Sequence, residues 1–102
     1  MPEQQKLRPK YHVQRCGPNG ELVGGRMDST DPNNPDSPFV LMPRKDPAAF
    51  MAMLAYAMYC EPELAAEIRD WLRLIAEQPT SCGTQGERNG RYMRLTLVGG
   101  LV

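Results

Sequence analysis

Apolar and polar positions are spaced in three ways along this chain, and each predicts a different kind of element. In Tyr11-His12-Val13-Gln14-Arg15-Cys16 they alternate, with Tyr11 and Val13 on one face and His12 and Gln14 on the other, the period of a half-buried strand. Gly17-Pro18-Asn19-Gly20 is a turn, its Asn-Gly pair suited to positive φ, after which Glu21-Leu22-Val23 is expected to pair back briefly before Gly24-Gly25 ends it. Arg26 to Pro38 carries three prolines and almost nothing to bury, so an exposed loop is expected over 26–38. Phe39-Val40-Leu41-Met42 is a short continuous apolar run closed by Pro43, which suits a buried strand.

Pro47 to Cys60, PAAFMAMLAYAMYC, holds 14 consecutive uncharged residues. Asp46 is a strong N-cap, and Pro47 at the first helical position loses only an amide that has no helical partner anyway. Alanine, methionine and leucine favour a helix through the interior. A helix apolar on nearly every face has to be covered on nearly every face, so the rest of the chain reads as its covering. A second helix is predicted from Pro62 to about Gln78, with Leu64, Ile68, Trp71, Leu72 and Ile75 as one apolar stripe and Asp70–Arg73 and Arg73–Glu77 at supportive spacings. The short Glu61-Pro62 connection makes the two helices packed neighbours. Residues 79–90 read as a glycine-rich loop, and Arg91 to Val98 alternates again, with Met93, Leu95 and Leu97 on one face, as a last strand. The expected fold is α+β: a small antiparallel sheet of about three strands, in the order β-β-α-α-β, with two helices packed on one face. A chain of 102 residues suits one domain over 1–102, with a flexible N-terminus at 1–9.

Charge changes this picture only locally. Lys+Arg and Asp+Glu are both 12, so no polyanionic or polycationic partner is implied by the total. Residues 1–26 are net +3, 27–46 net −2, 47–79 net −3 and 80–102 net +2, so basic ends flank an acidic middle. Cys16, Cys60 and Cys82 are an odd number at irregular spacing, which favours reduced thiols and a cytoplasmic setting. The polar N-terminus does not read as a signal peptide, and the uncharged stretch is shorter than the roughly 20 residues a bilayer crossing needs, so no membrane association is expected.

The candidate chemistry is thin. His12, Cys16, Cys60 and Cys82 have the composition of a zinc site without its close cysteine pairs, and positions four apart on a strand are separated by about 13 Å. A cysteine nucleophile would need His12, the only histidine, beside an activated thiol, and Cys60 sits near a helix end rather than at a helix N-terminus. Asp28, Asp31, Asn33, Asn34 and Asp36 cluster oxygens in one loop, but their spacing is not that of an EF-hand and Pro32 and Pro35 interrupt the backbone. No GxGxxG, GxSxG or P-loop pattern is present. The expectation is therefore a non-enzyme with no catalytic residues, no metal and no cofactor. Two binding surfaces remain. Phe50, Met51, Met53, Leu54 and Met58 supply adaptable apolar surface for a protein partner or a homodimer. Arg15, Arg88, Arg91, Tyr92 and Arg94 would meet, with Tyr11 and His12, on a basic sheet face if the first and last strands are neighbours, which is the alternative of a single-stranded nucleic-acid binder.

Lys10-Tyr11-His12-Val13-Gln14-Arg15, then Phe39-Val40-Leu41, then Lys45-Asp46-Pro47-Ala48-Ala49 and Met53-Leu54-Ala55-Tyr56-Ala57 resemble the pattern of a group of small uncharacterised phage and prophage proteins. The resemblance covers roughly residues 10–76. The loop after Gly25 is longer and more proline-rich than that pattern, and the expected last strand lies outside it. It implies a mobile-element accessory protein, acting in the host cytoplasm by stoichiometric protein–protein binding, as an inhibitor of host defence such as an anti-CRISPR.

Overall fold

The computed structural model describes residues 7–79 and 82–100, with the side chains of 94–100 left out of that description. Residues 1–6 of the expected flexible N-terminus therefore lie outside the described residues. The chain divides into two compact units, Met1–Val40 and Leu41–Val102.

The first unit is an antiparallel hairpin of β1 (His12–Cys16) and β2 (Leu22–Asp28). Its turn is closed by Gly20 N–H donating to Gly17 O at 3.0 Å and Gly17 N–H donating to Glu21 O at 2.7 Å, and Gly20 sits at φ +83°, where a Cβ would be strained. The expected stop at Gly24-Gly25 is a bulge instead. Val13 pairs with Met27 and Arg15 with Val23, so Gly24, Gly25 and Arg26 face the single residue Gln14. Gly24 takes φ +71°, and the Gln14 amide donates to the Gly24 carbonyl, which replaces a ladder bond the bulge removes. β2 therefore continues to Asp28, three residues into the expected loop, and His12 and Asp28 face each other across the strands with Nδ1 2.7 Å from Oδ1.

The Pro/Asp/Asn segment after β2 is stitched by its own side chains. Asp31-Pro32-Asn33-Asn34 and Asn34-Pro35-Asp36-Ser37 are successive turns, each with proline at its second position and an Asx side chain accepting the amide two residues on at 3.0 Å. Ser37 Oγ bridges the ends, accepting from Asp31 N–H and donating to Asp28 O, both at 2.8 Å. Thr30 occupies the left-handed region at φ +53°, with its N–H on Pro38 O at 2.7 Å. Ser29, fully buried, accepts from Tyr11 N–H at 3.1 Å and ties the loop to the start of β1. Phe39–Met42, expected as a strand, forms none.

The second unit is three helices: α1 (Pro47–Tyr59), α2 (Pro62–Ala76) and α3 (Thr84–Gly100). α1 begins as its sequence dictates, with Asp46 extended at φ −144° and its Oδ1 accepting Ala48 N–H at 3.0 Å. α2 packs on α1 through Ala57, Ala65, Ile68 and Leu72, with Phe50, Met53, Leu54, Cys60 and Ile75 around them. The buried stripe of α2 is rotated from the expected one: Ala65 is inside while Leu64 and Trp71 are exposed. Ala57 and Ala65 allow the close approach that centres the contact there, and Arg69 closes it by donating to the Ala57 carbonyl at 3.3 Å.

The expected last strand, Arg91 to Val98, is corrected to helix, and so is the second half of the expected 79–90 loop. Alternation over a few residues competes here with helix-favouring local chemistry. Glu87 is an acid in the first turn of α3, its N–H donates to Gly83 O at 2.9 Å, and Gln85 bonds Asn89 one turn on at 2.9 Å. Among the described residues the sheet has two strands, and the fold class is α+β.

α3 lies against the start of α1. Gly86 is buried there, and a methyl group in its place would overlap the Lys45 carbonyl oxygen and stand 3.3 Å from Asp46 Cα. Gly86→Ala is expected to destabilise the helical unit by about 1–3 kcal/mol, because the obstructing atom is backbone. Leu72→Ala, in the α1–α2 core, is expected to cost about 2–5 kcal/mol. Urea titrations of both variants followed by circular dichroism measure these losses, and a Gly86→Ala protein as stable as wild type would contradict the close α1–α3 contact.

Candidate ligand cleft

α1, the end of α2 and α3 all line a cleft of about 620 Å³, within the size range of small-ligand pockets. Each wall follows from a local feature of the chain. The turn closed by Lys45 N–H on Met42 O, at 3.0 Å, delivers Pro43 and Arg44 to one side. The first turns of α1 contribute Phe50 and Met51, which Asp46 and Pro47 bring into the helix at a defined point. α2 frays at Glu77, whose N–H is shared among several preceding carbonyls, and its end contributes Ile75 and Pro79. On α3, Gly86 and Gly90 keep the backbone close to α1, while Glu87 and Arg91 supply charge.

The lining mixes apolar side chains, Phe50, Met51 and Ile75 among them, with the charged Arg44, Glu87 and Arg91. Arg44 Nη2 donates to the Pro79 carbonyl at 3.3 Å, which spans the gap between the entry of α1 and the exit of α2 and holds the guanidinium in place. Asn89 donates through Nδ2 to both carboxylate oxygens of Asp46, each at 3.0 Å, so the cap of α1 also anchors α3. The cleft is thus bounded by contacts that are themselves satisfied. Chemically it combines an apolar pocket with two guanidiniums, one carboxylate and the exposed Cys82 thiol.

The residues singled out from the sequence fall in different places. Phe50, Met53 and Leu54 turn toward the α1–α2 core, Phe50 also reaching the cleft. Met51 and Met58 are exposed. Tyr56 and Tyr59, exposed on the same helix, escaped that selection although the uncharged run contains both, since aromatic residues in an uncharged helix read first as core. The proposed basic sheet face does not form: Arg15 is on β1, in the first unit, while Arg88, Arg91, Tyr92 and Arg94 are on α3, in the second. Of these, Arg88, Arg91 and Tyr92 are exposed, and the Arg94 side chain lies outside the described residues.

The thiols fall on separate parts of the chain. Cys16 is exposed on β1, Cys60 is half-buried beside the helical core, and Cys82 faces the cleft. His12 is turned to Asp28. Among the described residues no three His, Cys, Asp or Glu side chains stand together as metal ligands. Asp31 and Asn34 each use a side-chain oxygen to accept a backbone amide of their own loop. No described helix is long and apolar enough to cross a membrane.

Compared with known proteins, the chain matches no family model, no curated protein and no solved structure. The class the geometry defines is a small α+β protein with an apolar cleft and an exposed apolar helix face.

The placement of the thiols predicts their order of reactivity. A small alkylating reagent is expected to modify Cys16 and Cys82 readily in the native protein, and the half-buried Cys60 more slowly. Mass spectrometry after timed quenching reads this order, and fast labelling of Cys60 would contradict its packing.

Proposed function

We propose that this protein is a non-catalytic binding protein that acts stoichiometrically on a protein partner, in the manner of a phage accessory protein that inhibits host defence, such as an anti-CRISPR. The observation that carries this reading is the second face of α1. Met51, Tyr56, Met58 and Tyr59 are 53, 55, 69 and 84% exposed on a helix without a single charge. Their angular order at 100° per residue, with Ala52 and Ala55 between them, makes one continuous strip opposite Ala57 and the α2 contacts, its Met51 also lining the cleft. Methionine and tyrosine are the residue types enriched where proteins bind, because they offer large contact area and methionine adapts to varied shapes.

A surface of this kind costs solubility unless a partner covers it, either a second copy or a different protein. Two experiments test the reading. Expressed in a host carrying an active defence system, the chain is expected to restore plaque formation by a phage that the system restricts. Tyr59→Ala or Met58→Glu is expected to abolish the rescue while leaving the thermal midpoint unchanged, since both side chains are exposed; a hot-spot tyrosine is worth about 2 kcal/mol or more of binding. Absence of rescue across a panel of defence systems overturns the defence reading. Light scattering over a concentration series assigns the strip: dimer dissociation on Met58→Glu gives it to self-association.

A further inference from the structure

We infer that the cleft between the three helices is a docking groove for an extended peptide segment that carries an apolar side chain next to an Asp or Glu carboxylate. The inference deepens the protein-binding reading and rests on it. Three observations select this occupant. The lining residues Phe50, Met51 and Ile75 offer carbon and sulfur surface to an apolar side chain. Arg44, on the turn before α1, and Arg91, on α3, both line the cleft, and among the described residues neither guanidinium closes an ion pair. A carboxylate entering the cleft meets two guanidiniums able to give it charge-assisted hydrogen bonds, Arg44 already bonded to the Pro79 carbonyl.

The remaining polar group sets the limit on charge. Glu87 lies one turn before Arg91 on α3 and also lines the cleft, so the site carries two positive charges against one negative. A single carboxylate balances it, and a run of phosphates or a polyacidic segment meets repulsion from Glu87. Pro43, Pro47 and Pro79 form part of the rim, where fixed φ angles reduce the ordering cost of binding. The charge pattern therefore favours one carboxylate beside one apolar anchor.

The test is selection from a library of random displayed peptides on the full chain, followed by fluorescence polarisation with the selected peptides made synthetically. Enriched peptides are expected to share a Leu, Ile, Met or Phe within one or two positions of an Asp or Glu. Replacing that acidic residue with its amide, or making Arg44→Ala or Arg91→Ala in the protein, is expected to weaken binding at least tenfold. Arg91 is exposed, so its variant reports on binding even if Arg44→Ala perturbs the α1–α2 connection. The exchanged pair, Arg91→Glu with a peptide in which Lys replaces the acid, is expected to recover part of the loss. Enrichment of basic or uncharged peptides, no enrichment, preferential binding of an oligonucleotide at this site, or affinities that both arginine variants leave unchanged would each overturn the inference. The two readings fail separately. Peptides whose binding is lost in Met58→Glu and kept in Arg91→Ala would remove the cleft and leave protein binding on α1, whereas intact peptide binding without phage rescue would remove the defence reading and leave the groove.

Discussion

The helical unit depends on one carboxylate. Asp46 caps α1 through its Oδ1 and, with both oxygens, accepts the amide of Asn89 on α3. An N-cap is ordinarily a local device that satisfies an otherwise orphaned amide. Here the same group also fixes where a distant helix crosses, because the carboxylate has lone pairs left after capping and Gly86 lets the α3 backbone reach the chain beside it. The end of α1, the approach of α3 and hence two walls of the cleft share a single point of attachment.

α1 itself serves two surfaces with one composition. Its small residues, Ala49 and Ala57, are the ones fully buried, and its large ones, Met58 and Tyr59, face outward. That inverts the usual assignment of size to burial. It is possible because Ala57 and Ala65 permit close helix contact while Ile68, Leu72 and Phe50 fill the space beside them. The strip left outside and the cleft at the head of the helix are therefore consequences of the same packing choice. Both present apolar surface, but only the cleft adds fixed charge, through Arg44 and Arg91.

Some of this was legible from residues alone, and some was misread for identifiable reasons. The Asp46-Pro47 start, the α1–α2 pairing across Glu61-Pro62 and the Asn-Gly turn of the hairpin are local features whose geometry is set within four residues, and they stand as read. The 91–98 segment alternates over eight residues like a strand, yet it continues a helix that starts at Thr84 and carries the Gln85–Asn89 bond one turn apart. Gly86 and Gly90 read as loop residues, although they serve a close approach between backbones. Gly24-Gly25 read as a strand end, although a glycine bulge with Gln14 supplying the missing bond carries β2 onward. The cleft had no signature, since its walls come from residues separated by up to about fifty positions with no motif among them.

By itself, the sequence determined the elements whose cause is local: a capped uncharged helix, a second helix, a glycine-turned hairpin and a proline-rich loop after it. Capping, turn chemistry and periodicity act over a few residues and need no knowledge of what lies across the fold. Tertiary structure alone decided which face of α1 and of α2 was covered, and that Arg44, Arg91 and Phe50 line one space. A helix apolar all round carries no periodic record of its partners, so only the packing of Ala57 against α2 and Gly86 against Lys45 could choose its buried side.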